Sequence, residues 1–460
     1  MSSNHQLPER DPNGNRPAGP RILFLNRSYW PDVEATGQLL TELCEDLASE
    51  FELTVIAGQP NQNPANMRCK SWGIDRHNGV AIRRVPHLKF AKKSLWGRAV
   101  NMLTYLAGAT ATALCVSRPA AVVVETDPFL LPIIGRWLQW RHRCRLIVYL
   151  QDIYPDVAVA LGKVRDGWFT RALRRWLFSI YRRADQVIVL GEDMRSVLTS
   201  AGIPPERITV LPNWADTARI YPIRQANAFR MREQLDGYFV VMYSGNMGLC
   251  QSLDDVLEAA DRIRDRRDIL FVLVGDGASR SRLEQLAREK RLENVRFLPY
   301  QPHSELAHSL SAADLHLVPL DARVTGCLVP SKLYGILAAG VPSLVIADER
   351  CEASRVVERS NTGKVVAPGQ PEQLAETIAW CADHRPELLE MGARARQLAE
   401  GEFDRKSATG RFAGLLHDAI GGLRHDAIGG LRHDANCVGE SRASLHAMPA
   451  VETERAAGSL

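Results

Sequence analysis

Short apolar runs that stop at glycine, asparagine or proline recur along this chain, and stretches with apolar residues at helical spacing lie between them. The first run is 21–26, Arg-Ile-Leu-Phe-Leu-Asn. An unbroken apolar run of this length predicts a strand covered on both faces, as in a parallel sheet. A loop with Tyr29, Trp30 and Pro31 follows, then Ala35-Thr36-Gly37. Residues 38–49 set Leu39, Leu40, Leu43 and Leu47 on one helical face, and 53–57 make the next strand. Strand, loop, helix and strand form a βαβ unit. The pattern recurs with strands at 121–125, 146–150 and 186–190.

A polar stretch with one short helix, 213–237, interrupts the pattern, which then restarts. Strands are predicted at 239–244, 270–274, 295–298, 315–318 and 343–346, again with helices between them. The expected fold is α/β, of two Rossmann-like doubly wound domains facing a central cleft. An acceptor-side domain spans 21–212 and a ligand-binding domain 238–385, with further helices over 386–418. In such sheets the ligand site lies beyond the carboxyl ends of the strands. Residues 1–20 are polar and lack the apolar core of a signal peptide, so a disordered start and a cytoplasmic location are expected. The octapeptide His-Asp-Ala-Ile-Gly-Gly-Leu-Arg occurs at 417–424 and 425–432, and a third copy starts at His433. Eight residues are too few for a repeat architecture, so 419–460 is expected to be a disordered tail.

Composition narrows the class. With 460 residues, 45% hydrophobic and 24% charged, the chain is a two-domain globular protein by size and mixture. Its nine cysteines are scattered without a CxxC pair, which speaks against a disulfide framework or zinc site and for a reducing compartment. Net charge is only +4, but 89–190 holds sixteen Lys/Arg against six Asp/Glu, a local balance of +10. Such asymmetry fits an anionic partner, a phospholipid surface or nucleic acid. A solvated basic face without a partner accounts for the same count.

Three strand ends in the second half carry candidate chemistry. Ser244-Gly245-Asn246-Met247-Gly248 and Gly275-Asp276-Gly277 each follow a strand and precede a helix. Glycine there allows backbone N–H groups to approach an anion at the positive end of the next helix. The third runs from Val329 to Pro342. Ser331 is placed to cap a short helix, and Lys332 falls in its first turn, where a cation is unfavourable unless an anion is bound. Gly340 should end that helix.

Taken jointly, these residues resemble glycosyltransferase family 4, the retaining GT-B enzymes, over about 21–415. The resemblance rests on Gly37, Asp152-Ile-Tyr-Pro-Asp156, Tyr243-Ser-Gly-Asn-Met-Gly248, Val274-Gly-Asp-Gly277 and Pro330-Ser-Lys332 through Gly340. It is shared with enzymes that build bacterial O-antigen, capsule and exopolysaccharide units. It implies a nucleotide-diphospho-sugar donor, with Gly37, Ser244, Gly245, Asn246, Gly248, Ser331 and Lys332 near the diphosphate. Gly275, Asp276, Gly277 and Tyr300 would lie near the nucleoside, and Asp152 near the reacting sugar, where it would stabilise an oxocarbenium-like state. A helix cap ahead of Tyr154-Pro155 is the other role open to Asp152. The family's two glutamates, eight residues apart, are replaced here by Cys327 and Gly335, leaving the ribose without its usual partner. No Asp-x-Asp motif is present, so no metal is expected, and Lys332 with the helix ends would take its place.

The acceptor implied is a lipid-linked saccharide, of the polyprenyl-diphosphate kind, met at the inner face of the cell membrane. The apolar run 99–116 is interrupted by Asn101, Thr104, Gly108, Thr110 and Thr112, which favours a helix packed on the sheet over a membrane span. Trp96, Trp137, Trp140 and Trp176 lie near Arg136, Arg141, Arg143, Arg145, Arg171, Arg174 and Arg175. That mixture suits an anionic headgroup layer, and no nucleic-acid recognition module is present. A nucleotide-sugar 2-epimerase and a non-catalytic nucleotide-sugar-binding homologue are the alternatives.

Overall fold

The computed structural model describes residues 19–32, 34–60, 73–90 and 95–430. Two sheets organise it. The first has strands β1 (Arg21–Leu25), β2 (Glu52–Gly58), β3 (Ile74–His77), β4 (Val80–Val85), β5 (Ala121–Val124), β6 (Arg145–Tyr149), β7 (Gln186–Val189) and β8 (Ile208–Val210), ordered β3-β4-β2-β1-β5-β6-β7-β8. The second has β9 (Phe239–Ser244), β10 (Ile269–Val274), β11 (Val295–Leu298), β12 (Leu315–Pro319), β13 (Ser343–Ile346) and β14 (Gly363–Val366), ordered β11-β10-β9-β12-β13-β14. All pairings are parallel except β3 with β4.

Strand order reverses direction at β1/β5 in one sheet and β9/β12 in the other. Those switch points are where doubly wound sheets open a crevice for ligand. The apolar runs are strands because both faces are covered. In β9 and β10, Phe239, Val241, Tyr243, Ile269, Phe271 and Leu273 face one core, and Val240, Met242, Leu270, Val272 and Val274 the other. That is the period-2 alternation of a strand with two apolar sides.

The strands predicted from sequence are all present, and β3, β4, β8 and β14 join them. Asn78-Gly79 makes the hairpin between β3 and β4, a turn signal that marks such a pair. The stretch 95–114 forms one helix, Leu95–Leu114, which buries Tyr105, Ala109 and Ala113 on the sheet. Tyr105 donates to the Ile56 carbonyl at 3.1 Å. No helix among the described residues is long and apolar enough to cross a membrane.

The last helix, Arg405–Gly430, returns to the first domain. Ala408, Phe412, Ala413 and Leu416 complete its core. Arg405 holds the crossing by ion pairs to Asp46 at 2.7 Å and Glu45 at 3.1 Å. The helix passes the expected boundary at 418 and includes the first octapeptide and part of the second, so the tail expected from 419 begins inside a helix. Residues 1–18 and 431–460, where the rest of the expected disorder falls, lie outside the described residues.

Candidate functional site

The two glycine turns of the second domain stack on each other. A Cβ on Gly275 would lie 1.9 Å from the Gly245 carbonyl oxygen, and one on Gly277 would lie 2.5 Å from that of Met247. Both glycines have positive φ, so no other residue fits without moving the neighbouring turn. The stacking uses backbone donors that the sequence suggested were free for an anion. Gly245 N–H bonds the Val274 carbonyl at 2.9 Å, Met247 that of Asp276 at 2.8 Å and Gly275 that of Leu298 at 3.0 Å. Gly277 N–H is held by the Asp276 carboxylate at 2.7 Å. Among the described residues, the N–H groups of Asn246, Gly248 and Asp276 keep no protein acceptor, which makes them the donors open to a ligand.

Lys332 stands beside this stack. Its Nζ is 2.8 Å from the Tyr243 hydroxyl and 3.9 Å from that ring's centre. A Cβ on Gly245 would lie 3.5 Å from the same Nζ. The Tyr243 hydroxyl donates onward to the Asn246 carbonyl at 2.6 Å. Some solvent reaches the Lys332 side chain, yet protein surrounds its ammonium, and burial pushes the pKa down to about 7. Tyr243, at the end of β9, was not singled out as a site residue in the sequence; an aromatic at the last inward position before a glycine turn was the available signal.

Ser331 occupies the N-cap position of the helix Lys332–Ala338, but its side chain makes no cap bond. The expected capping role is therefore corrected. Gly340 follows the helix end as expected. Tyr300 reaches the other turn, its hydroxyl 3.4 Å from the Asp276 carbonyl. A Cβ on Gly335 would meet Leu310 at 3.5 Å and Ile220 at 3.9 Å.

The first domain supplies the opposite wall. Asp152 forms an antiparallel bridge with Leu328, and Ile153 N–H bonds the Cys327 carbonyl at 2.8 Å. This contact joins the end of β6 to the segment leading into Lys332. Asp152 caps no helix: the following helix, Asp156–Ala160, starts after Pro155 and has no side-chain cap. Burial, with the nearby charge of Asp127, pushes the Asp152 carboxyl up to about 6. Cys250 is close enough to feel Asp152 and to act on Lys332, and burial raises its thiol. Asp127 pairs with Arg27 at 2.8 Å. Glu125, held above the usual carboxylate range by burial and Asp127, takes a bond from Gln151 at 3.4 Å.

Gly37 lies in the first turn of the helix Ala35–Leu47, where a Cβ would come within 2.9 Å of Ser28 Oγ. That hydroxyl also meets Asp32 at 3.2 Å and Glu34 at 3.5 Å. Close packing on Ser28 is thus the visible reason for the glycine, and the carboxylates around it suit sugar hydroxyls better than phosphate.

A further contact joins the domains beyond the reach of sequence reading. The helices Glu192–Ser200 and Glu352–Ser360 meet end to end, and each lends a carboxylate to the other's first turn. Glu352 N–H bonds Asp193 at 3.1 Å, and Glu192 N–H bonds Glu352 at 3.0 Å. Glu352 therefore serves the domain interface; no contact of it with the glycine turns is seen among the described residues.

The aromatic and basic residues of the first domain divide. Trp96, Trp140 and Trp176 are exposed, as are Trp168 and Phe169, which the sequence reading passed over. Trp137 instead packs against the core. Arg145 pairs with Asp185 at 2.8 Å and Arg174 with Asp156 at 2.7 Å, so part of the positive charge is neutralised within the fold.

Known proteins share this fold. The family described as Glycosyl transferases group 1 matches residues 226–398, and the Glycosyl transferase 4-like domain matches 35–214. WcaI of Escherichia coli (strain K12), assigned to colanic acid biosynthesis, is 28% identical over 85% of this chain and 98% of its own. WbjE of Pseudomonas aeruginosa, assigned as a glycosyltransferase, is 26% identical over 64% and 74%. Among solved structures, Anabaena Alr3699/HepE in complex with UDP-glucose superposes with a TM-score of 0.65 at 17% identity, over 87% of this chain and all of that one. WaaG, a glycosyltransferase involved in lipopolysaccharide biosynthesis, gives 0.64 at 18%, over 86% and 99%.

Proposed function

The chain belongs to the group 1, GT4-type glycosyltransferases, nucleotide-sugar-dependent enzymes of the GT-B fold, and from that premise we propose a retaining transfer onto a lipid-linked saccharide at an anionic membrane. The observation that carries the reading is the buried Lys332 ammonium at the stacked glycine turns, with Asp152 on the facing wall. A departing nucleoside diphosphate develops negative charge at its phosphates. Fixed cations and N–H groups aimed at that charge lower the barrier most effectively where water is scarce. In this reading Lys332, with the free N–H groups of Asn246 and Gly248, receives the diphosphate, and Ser244, Gly245 and Ser331 shape its surroundings, while Gly37, packed on Ser28 beside Asp32 and Glu34, serves the sugar side. Gly275, Asp276, Gly277 and Tyr300 flank the nucleoside.

Asp152, ionised, faces the sugar and stabilises the positive charge that grows on its ring as the bond to phosphate lengthens. The acceptor hydroxyl attacks from the face the diphosphate leaves. Asp32, Glu34 and Asp127 offer acceptors for its other hydroxyls. The relatives' roles in colanic acid and lipopolysaccharide pathways support an acceptor of the bacterial surface-polysaccharide kind, and the exposed tryptophans support its presentation on a membrane.

The test is release of nucleoside diphosphate from a panel of nucleotide sugars, with and without polyprenyl-diphosphate saccharides, in excess EDTA. Release that needs the lipid acceptor and survives EDTA is expected. Acceptor-independent turnover would point to an epimerase or hydrolase, binding without release to a non-catalytic homologue, and loss restored by Mg²⁺ or Mn²⁺ to a metal-assisted reaction.

A further inference from the structure

At the amino ends of the second sheet's strands, opposite the glycine turns, lies a cavity of about 330 Å³. That volume is at the lower end of small-molecule sites. It opens between Phe239 at the start of β9, Gly340 at the end of the Lys332–Ala338 helix, and Leu388 on the helix Arg385–Glu402. The length of a six-residue strand, roughly 17 Å at about 3.3 Å per residue, separates it from the glycine turns.

Three arginines line this cavity against one carboxylate, Asp314. Arg230 is fully engaged in the fold. It bonds the carbonyls of Ala312 at 2.7 Å, Leu235 at 3.0 Å and Tyr238 at 3.1 Å, and pairs with Asp314 at 3.2 Å. Arg224 and Arg385 are different. Arg224 makes one long bond, 3.4 Å, to the Gly340 carbonyl. Arg385 lies over the Phe239 ring at 5.3 Å. Neither has a carboxylate within ion-pair distance among the described residues; Asp268, which feels the Arg385 charge, is bound to Arg266. Arg385 is also the first residue of an 18-residue helix whose N-terminus has no side-chain cap. A cation there opposes the helix dipole, and one acid in the first turn, Glu387, offsets part of that conflict.

We infer that this cavity binds a small organic phosphate monoester, distinct from the donor. Two guanidinium forks suit a phosphate, which accepts paired bonds from each. Phe239, Leu388 and the exposed Leu389 give the ester's body an apolar wall of the kind a ring or short chain would cover. The ligand would touch Gly340, at the far end of the helix that opens with Lys332.

Calorimetric titration with phenyl phosphate tests the assignment, with benzyl alcohol as the phosphate-free control. Binding is expected at submillimolar concentration, at least tenfold weaker in Arg224→Ala/Arg385→Ala and unchanged within twofold in Lys332→Ala. Leu389→Glu, a change at an exposed position, sets a carboxylate at the mouth and should weaken binding even if the arginine pair proves necessary for folding. No heat at millimolar phenyl phosphate, equal binding of benzyl alcohol, or binding lost in Lys332→Ala and kept in the arginine pair would each overturn the site.

Discussion

In the proposed reaction, Lys332 and Asp152 set opposite limits on the pH range. Lys332, depressed to about 7, must carry its proton to meet the diphosphate, so donor capture weakens as pH rises past that value. Asp152, raised to about 6, must be ionised to support the sugar cation, so turnover falls as pH drops through it. We expect kcat/KM to peak between about 6 and 7, changing tenfold per pH unit outside that window. Lys332→Ala should lose about 10²- to 10³-fold in turnover and flatten the alkaline limb, and Asp152→Asn should flatten the acid limb. A profile level to pH 9 would remove Lys332 from the chemistry. The lysine was legible in the sequence because a cation at a helix start contradicts local electrostatics. Its contact with Tyr243, 89 residues away in sequence, and its nearness to Cys250 were not, since only folding brings them together.

Among elements, the strands covered on both faces were legible because their apolar runs are short and end at glycine, asparagine or proline, which favours a strand over a buried helix. The missed β3, β8 and β14 are short or at sheet edges, with many half-exposed positions that weaken the apolar signal, and Arg83 and Arg84 interrupt the apolar run of β4. The glycine turns were visible as motifs, but their stacking was not, and it reassigns several N–H groups from ligand to fold. Gly275→Ala tests that reassignment. Its Cβ would press on the Gly245 carbonyl at a positive φ, so we expect a loss of about 2–4 kcal/mol in stability from strain and overpacking. Donor binding should fall with it, because Gly245 adjoins Lys332. An unchanged melting temperature would show that the turns slide freely past each other.

For the whole molecule, the exposed Trp96, Trp140, Trp168, Phe169 and Trp176 and the basic surplus of 89–190 predict peripheral, salt-reversible binding to anionic vesicles. Each basic residue near such a surface adds on the order of 1 kcal/mol, screened within about 8 Å at physiological ionic strength. Ion pairs such as Arg145–Asp185 leave fewer than the sixteen available. Co-sedimentation across a salt series should show release as salt rises, and Trp168→Ala/Phe169→Ala should weaken binding about tenfold, since interfacial insertion gains part of the ~1.5–3 kcal/mol of a buried side chain. Equal binding to neutral and anionic vesicles would sink the electrostatic reading.

The return of the last helix to the first domain has a consequence for synthesis. Phe412 packs between Phe24 and Tyr149, with ring centres 6.3 and 5.6 Å away. On the ribosome those partners emerge early, and Trp214 closes the rest of that domain's chain, but the ring that fills the gap follows roughly 200 residues later. At about 5–20 residues per second the unfinished core waits ~10–40 s with an apolar groove open to chaperones. A ribosome stalled before residue 405 should therefore hold a first domain that remains protease-sensitive, and one stalled well past 430 should hold a resistant one.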